Sequence, residues 1–298
     1  MRINWSRWTL AAALAAGLQL PVLAQAQPAP GEEGEIVVEG IRERDRQIER
    51  FVGALTEAPM RGQLSRFDWQ VCPAVAGLPQ AQADAIVQRM RQVAQAAGVP
   101  LADPGCAPNA LVIATPDKAA TLRWLRREYP AYFRNALDER IQVPNEPGPA
   151  VAWQIESRLD EDGRPVGVDL INQRYVVEST RSPSRLTAAS RPHFVASVLV
   201  VQLDALAGLT TTQVADYAAM RVFAKTDPSR LARSTAPTIL NVLDAGMDSE
   251  IPLSMTQWDL GFLKALYASE ENHFASQQRG EMRRLLEQEL DEAREADD

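Results

Sequence analysis

Apolar positions change their period along the chain, and each change marks an element. Over residues 41–55, Ile48, Phe51, Val52 and Leu55 recur at helical spacing among Arg and Glu, which predicts an amphipathic helix. RFDWQVC, residues 66–72, predicts a strand. Ile86, Val87, Met90, Val93 and Ala97 then share one face of a helix over 80–97, with Gly98 placed to end it. NALVIAT (109–115) is continuously apolar and predicts a buried strand, and the helical pieces 117–128 and 130–138 are split by Pro130.

The second half changes character. AVAWQIESRL (150–159) alternates and runs into DEDG (160–163), so it predicts a strand that opens a hairpin. FVASVLVVQLDAL (194–206) is apolar on both faces, which requires a central strand. In TTTQ (210–213), Thr210 and Gln213 can satisfy each other's backbone donors in a capping box that opens a helix reaching Lys225. MTQWDLGFLKALY (255–267) predicts a capped helix with Leu260, Leu263, Leu266 and Tyr267 on one side. The order of elements predicts one α+β domain over 41–286, a mixed sheet with packed helices.

The ends carry a different signal. Arg2 and Arg7 precede an apolar run from Trp8 to Ala24, and Ala24-Gln25-Ala26 is a small-x-small cleavage site, so residues 1–26 predict a secretory signal peptide. The run is short and broken by Gly17, Gln19 and Pro21, so no membrane span is expected after cleavage. Residues 27–40, rich in Pro, Gly and Glu, predict a flexible tether. Residues 287–298 hold seven acids against Arg294 and predict an acidic tail, a fraying helix end. A chain of net charge -8 whose body has no basic stripe argues against nucleic acid as a partner. In an exported chain the two cysteines, Cys72 and Cys106, predict one disulfide, which removes both thiols as nucleophiles or ligands.

MTQWDLGFLKALY and the order of elements resemble the zincin metallopeptidases, whose last helix carries a Leu-Thr/Ser-x-x-Asp-x-x-x-Leu-x-x-Leu-Tyr pattern matched by Thr256, Asp259, Leu263, Leu266 and Tyr267. The chain is also similar to uncharacterised exported proteins of alphaproteobacteria, which imply no activity. The zincin resemblance implies a zincin-like order of elements and a His-Glu-x-x-His zinc site on the helix after the central strand, since His at i and i+4 share a face. That helix reads QVADYAAMRVFA, with Gln213 and Tyr217 where histidines would stand. Only His193 and His273 occur in the chain, so zinc hydrolysis of that type is excluded by ligand count and no metal or cofactor is expected.

No nucleophile elbow, P-loop or dinucleotide fingerprint is present. Asp68 and Asp216 are the acids available for a glycosidase-like pair, the alternative being an exposed carboxylate and a strand-end residue. Residues 174–193 carry Arg174, Arg181, Arg185 and Arg191 with several hydroxyls and the single acid Glu178. Arg181, Arg185 and Arg191 with His193 are therefore either an anion-binding set or part of a solvated flap between strands. GEIVVEG (34–40 from Gly34) resembles the TonB box of outer-membrane receptors through Glu35, Ile36, Val37, Val38 and Gly40, with Glu39 in place of the usual Thr. The resemblance implies docking by strand addition through Ile36, Val37 and Val38 to another envelope protein, although the chain is too short for a receptor barrel and the segment is otherwise only tether. The functional expectation is an exported, periplasmic or secreted, non-catalytic binding or structural component of the cell envelope. The alternative is a hydrolase built on loop 174–193.

Overall fold

The computed structural model describes residues 32–56, 62–178, 187–244 and 251–297. The chain divides into two units, Met1–Ile41 and Arg42–Asp298. Of the first, only the helical backbone from Glu32 is described.

Among the described residues six α-helices accompany a mixed four-stranded sheet of order β1-β2-β6-β3. The strands are β1 (Pro73–Ala76), β2 (Ala110–Thr115), β3 (Ala150–Asp160) and β6 (Ser190–Gln202), and β4 (Gly167–Asp169) with β5 (Arg174–Val176) forms a separate hairpin. The helices are α1 (Glu32–Leu55), α2 (Gln80–Ala97), α3 (Lys118–Glu128), α4 (Thr211–Phe223), α5 (Gln257–Ala268) and α6 (Ala275–Asp297). This is the expected α+β class with one mixed sheet carrying packed helices.

β6 is central, as its two apolar faces require: it pairs parallel with β2 and antiparallel with β3. Leu199 and Val201 face a large core shared with α2, α4, α5 and α6, while Val198 and Val200 face a smaller one with Trp153, Phe133 and Leu125. One strand thus separates two cores, because successive side chains point to opposite faces. Gly98 ends α2 in the left-handed conformation that glycine adopts without a Cβ penalty, φ 74°. Capping boxes open α4 through Thr210 and Gln213 and α5 through Thr256 and Asp259.

Three expectations are corrected. Residues 66–72 are not a strand: only single bridges form, Arg66 with His193 and Val71 with Leu101, and the strand proper is the four residues after Cys72. The side chains of this stretch are drawn into the polar cluster described below, and Pro73 suits the start of an edge strand because it has no N–H to offer. Ile36, Val37 and Val38 are not extended but lie in α1. The C-terminal boundary at 286 also moves. Leu286 and Leu290 are buried in the main core, and Arg44 pairs with Asp291 at 2.6 Å, so α6 docks well into the acidic stretch. The proposed signal segment lies outside the described residues.

Cys72 and Cys106 form the expected disulfide, with Cα atoms 5.9 Å apart and a sequence separation of 34. The bridge holds the start of β1 to the loop before β2, alongside the bond from Cys72 N to Asn109 Oδ1 at 2.8 Å. On the chain-entropy model a loop of this length contributes roughly 3 to 4 kcal/mol. Replacing both cysteines by serine is therefore expected to lower the thermal midpoint by about 10 °C. An unchanged melt would show that the bridge closes nothing the fold does not already close.

Candidate functional site

The chemistry expected at Arg191 and His193 is found in a closed polar cluster. Arg66 and Asp68 stand on the stretch before β1, Arg191 and His193 open β6, and Glu271 follows α5. Arg191 Nη2 meets Glu271 Oε1 at 3.0 Å and Arg66 Nη2 meets Glu271 Oε2 at 3.2 Å. Across from Glu271, Asp68 lies 3.9 Å from Arg66 Nε and 3.6 Å from Arg191 Nε. Two guanidiniums and two carboxyls thus alternate round a square.

Backbone bonds hold the square in register. Arg66 also donates to the Leu266 carbonyl and, at 2.9 Å, to the Ser269 carbonyl, which satisfies the exposed carbonyl end of α5. Phe194 N donates to Arg66 O at 2.8 Å, and Arg191 Nη1 donates to Asp160 O at 3.0 Å and Asn272 Oδ1 at 3.3 Å. Arg191 is 5% exposed and His193 1%. Trp69 covers the histidine with ring centroids 4.6 Å apart and is itself 45% exposed.

Burial sets the protonation states. It pushes the Asp68 carboxyl up to about 6, against the pull of Arg191 and Arg66, and the neighbouring Glu271 carboxyl raises it further. Burial also pushes His193 down to about 4, and the positive charge of Arg191 adds to the effect. His193 is therefore neutral near pH 7. Its Nδ1 finds no hydrogen-bond partner among the described residues, so no hydroxyl or carboxylate orients the ring.

Arg181 and Arg185 lie outside the described residues. Asp216 does not join Asp68: it is buried in α4, where Arg89 grips it at 2.7 and 3.0 Å and Met255 N donates to it at 2.6 Å. The zincin-like positions on α5 all have packing or capping roles, with Asp259 accepting from Thr238 Oγ1 at 2.5 Å and Ile239 N at 2.8 Å. The Tyr267 hydroxyl donates to Phe223 O at 2.8 Å, fastening α5 to α4. Among the described residues no group of His, Cys, Asp and Glu could hold a metal ion.

An open concavity lies elsewhere. A cleft of about 370 Å³ is bounded by the start of β3, the second half of α4 and the proline-rich segment 144–149. Arg221 of α4, 1% exposed, lines it. Its Nη2 donates to Glu146 Oε1 at 2.6 Å and its Nη1 to the Tyr217 hydroxyl at 3.0 Å. Burial pushes the Tyr217 phenol up to about 12, so it stays protonated. Lys118 Nζ fixes the segment by donating to Glu146 O at 2.8 Å and to the Gly148 carbonyl.

No protein-family model, curated protein or solved structure matches this chain.

Glu271 was invisible in the sequence, because it meets Arg66 and Arg191 only through the fold. Arg221 did leave a signal: a cation in the apolar helix QVADYAAMRVFA must be paired if that helix is buried on all sides.

The two shifted groups oppose each other in pH. Asp68, raised in the fold, contributes stability that is present below its ordinary 3.8 and lost as the pH rises to about 6. His193, depressed in the fold, contributes stability that is present above 6.5 and lost as the pH falls to about 4. Asp68→Asn is expected to leave the His193 effect alone, so stability falls more steeply on acidification than in the wild type. His193→Gln is expected to show the reverse tilt. Each tilt is bounded by about 1.4 kcal/mol per pH unit, one proton's worth. Urea midpoints across this range decide it, and parallel profiles for all three proteins would contradict these assignments.

Proposed function

We propose that this chain is an exported, non-catalytic binding protein of the cell envelope whose ligand enters the cleft beside α4. The observation that carries this is the closure of the Arg191–His193 region: the histidine is buried, neutral and unoriented, and Arg191 is spent on internal partners. A general base needs reach to a substrate proton and a proton affinity suited to its working pH. His193 has neither. The cleft, by contrast, has a volume in the range of small-molecule sites and a mixed lining of prolines, apolar side chains and convergent polar groups.

Export is supported by the N-terminal pattern and by the Cys72–Cys106 bridge, since disulfides persist in oxidising compartments. Among the described residues no helix is long and apolar enough to cross a membrane. Strand addition by Ile36, Val37 and Val38 would first have to unwind the start of α1.

One observation favours a second function, hydrolysis: Asp68, raised to about 6 beside Glu271, has the proton affinity of a general acid. Both are tested by offering the protein fluorogenic peptide, ester, glycoside and phosphoester substrates. No turnover above buffer is expected. Turnover that Asp68→Asn abolishes while the variant stays folded would establish the hydrolase instead.

A further inference from the structure

β3 ends the sheet order β1-β2-β6-β3, so one of its edges has no neighbouring strand. Ser197 N turns away from β3 to donate to Asn109 O at 2.8 Å, so Gln154, opposite Ser197, turns its own N–H and C=O away from β6. Past the bulge at Ile155/Glu156 the same holds: Phe194 N donates to Arg66 O at 2.8 Å, so its partner Glu156 also faces outward. The flanking residues agree, since on this outer edge Ala152 N donates to Glu146 Oε1 at 3.4 Å and Arg158 O accepts from Val166 N at 3.0 Å. Between those two bonds the backbone groups of Gln154 and Glu156 have no partner among the described residues.

This edge lies in a groove. Gln154, Glu156 and Arg158 line a concavity of about 330 Å³ together with Ile141 and Tyr175, and it meets the cleft beside α4 at Ile141, Gln154 and Lys225. Gln154 is 7% exposed, so the edge is sunk below its surroundings. A second sheet edge cannot descend to it, whereas a single extended chain can, and unpaired peptide groups in a recess favour such a partner. Charge selects the segment. Lys225 and Glu156 neutralise each other at 3.2 Å, and the exposed Glu139 is held by Asn135 Nδ2 at 2.7 Å. Arg158, half-buried, has no carboxylate partner among the described residues: its Nε donates to Ser190 Oγ at 2.9 Å, and its Nη2 to Ser190 O at 2.7 Å and Gln63 Oε1 at 3.4 Å. Its Nη1 makes no hydrogen bond among those residues and is not sealed from solvent. A guanidinium so placed favours a carboxylate. Side chains opposite Ile155 fall on the face of the smaller core, where Ile141 packs, and are therefore apolar.

We propose that the groove and the adjoining cleft bind an extended peptide segment as a fifth strand antiparallel to β3, its backbone paired with Gln154 and Glu156 and a carboxylate near its N-terminal end against Arg158. Antiparallel is the direction that Pro165 already takes on this edge, opposite Leu159. The proposal rests on the chain being a binding protein with its ligand beside α4 and adds the class of ligand.

Amide NMR of the isotope-labelled protein, titrated with the peptide acetyl-EGTVT-amide, tests it. The first threonine is placed opposite Glu156 and the second opposite Gln154, with the glycine letting the glutamate leave the edge for Arg158. The amide protons of Gln154 and Glu156 are expected to exchange with solvent about tenfold more slowly when peptide stands at about ten times its dissociation constant. N-methylation of the first threonine, whose N–H points at Glu156 O, is expected to abolish binding, whereas N-methylation of the valine, whose N–H points away from β3, is expected to leave it. Glutamine in place of the peptide's glutamate is expected to weaken binding about fivefold, the scale of one part-exposed charge contact, and Arg158→Gln to erase that difference. Shifts at Tyr217 and Arg221 without slower exchange at Gln154 and Glu156 would overturn strand addition while leaving the cleft as the binding site. No change with any peptide, equal effects of the two N-methylations, or equal binding of the glutamate and glutamine peptides to the wild type would overturn the proposal outright. A dimer of the free protein that the peptide dissociates, seen by sedimentation, would give the edge to a second copy and overturn it as well. Cleavage of the peptide would instead overturn the non-catalytic function.

Discussion

Two guanidiniums and the Asp68 carboxyl leave water together at one place, with the part-exposed Glu271 carboxyl completing the ring, and the closure of the fold depends on their meeting. Each of the three buried ions alone would cost several kcal/mol, so the arrangement is tolerable only with its partners present. Arg66 and Asp68, Arg191, and Glu271 come from three distant parts of the chain. Their pairing fixes the start of β6 to the stretch before β1 and to the end of α5. The same closure buries His193 under Trp69 and strips it of its charge. A region rich in reactive side-chain types thereby becomes a clamp.

The rest of the architecture follows from β6 being apolar on both faces. With β2 on one side and β3 on the other, helices must cover both surfaces, and α4 crosses the larger core. Two further buried carboxylates set how α4 and α5 sit. Asp216 joins α4 to α2 through Arg89, and Asp259 joins the start of α5 to the turn at Thr238. The Tyr217 and Arg221 side of α4 then faces the proline-rich segment, while Phe223 stays bonded to α5. Arg221, which would be intolerable in a fully apolar contact, finds Glu146 and Tyr217 there. The cleft is the space left where a charged helix face cannot be packed dry.

Elements specified by local pattern were legible in the sequence: α2 with Gly98, β2, β6, the capping boxes at Thr210 and Thr256, and the Cys72–Cys106 bridge. Each depends on residues close together in the chain, or on chemistry that a compartment dictates. Elements set by distant partners were not legible. RFDWQVC has the composition of a strand, yet Arg66 is claimed by Glu271 and Asp68 by Arg191, both more than a hundred residues away. GEIVVEG has the composition of an extended segment, yet it lies in α1 with the amphipathic stretch that follows it. The cleft was hidden for the same reason, since Glu146 sits in a proline-rich stretch that reads as mere connection until Arg221 is placed opposite.

The clamp is tested most directly by the proton NMR titration of His193. The chain has only two histidines, and His273 is identified by its loss in a His273→Gln variant. The remaining imidazole resonance is predicted to stay at its neutral position on acidification until about pH 4. A midpoint near the ordinary 6.5 would mean that the ring is open to water and that Arg191 and its partners do not close over it.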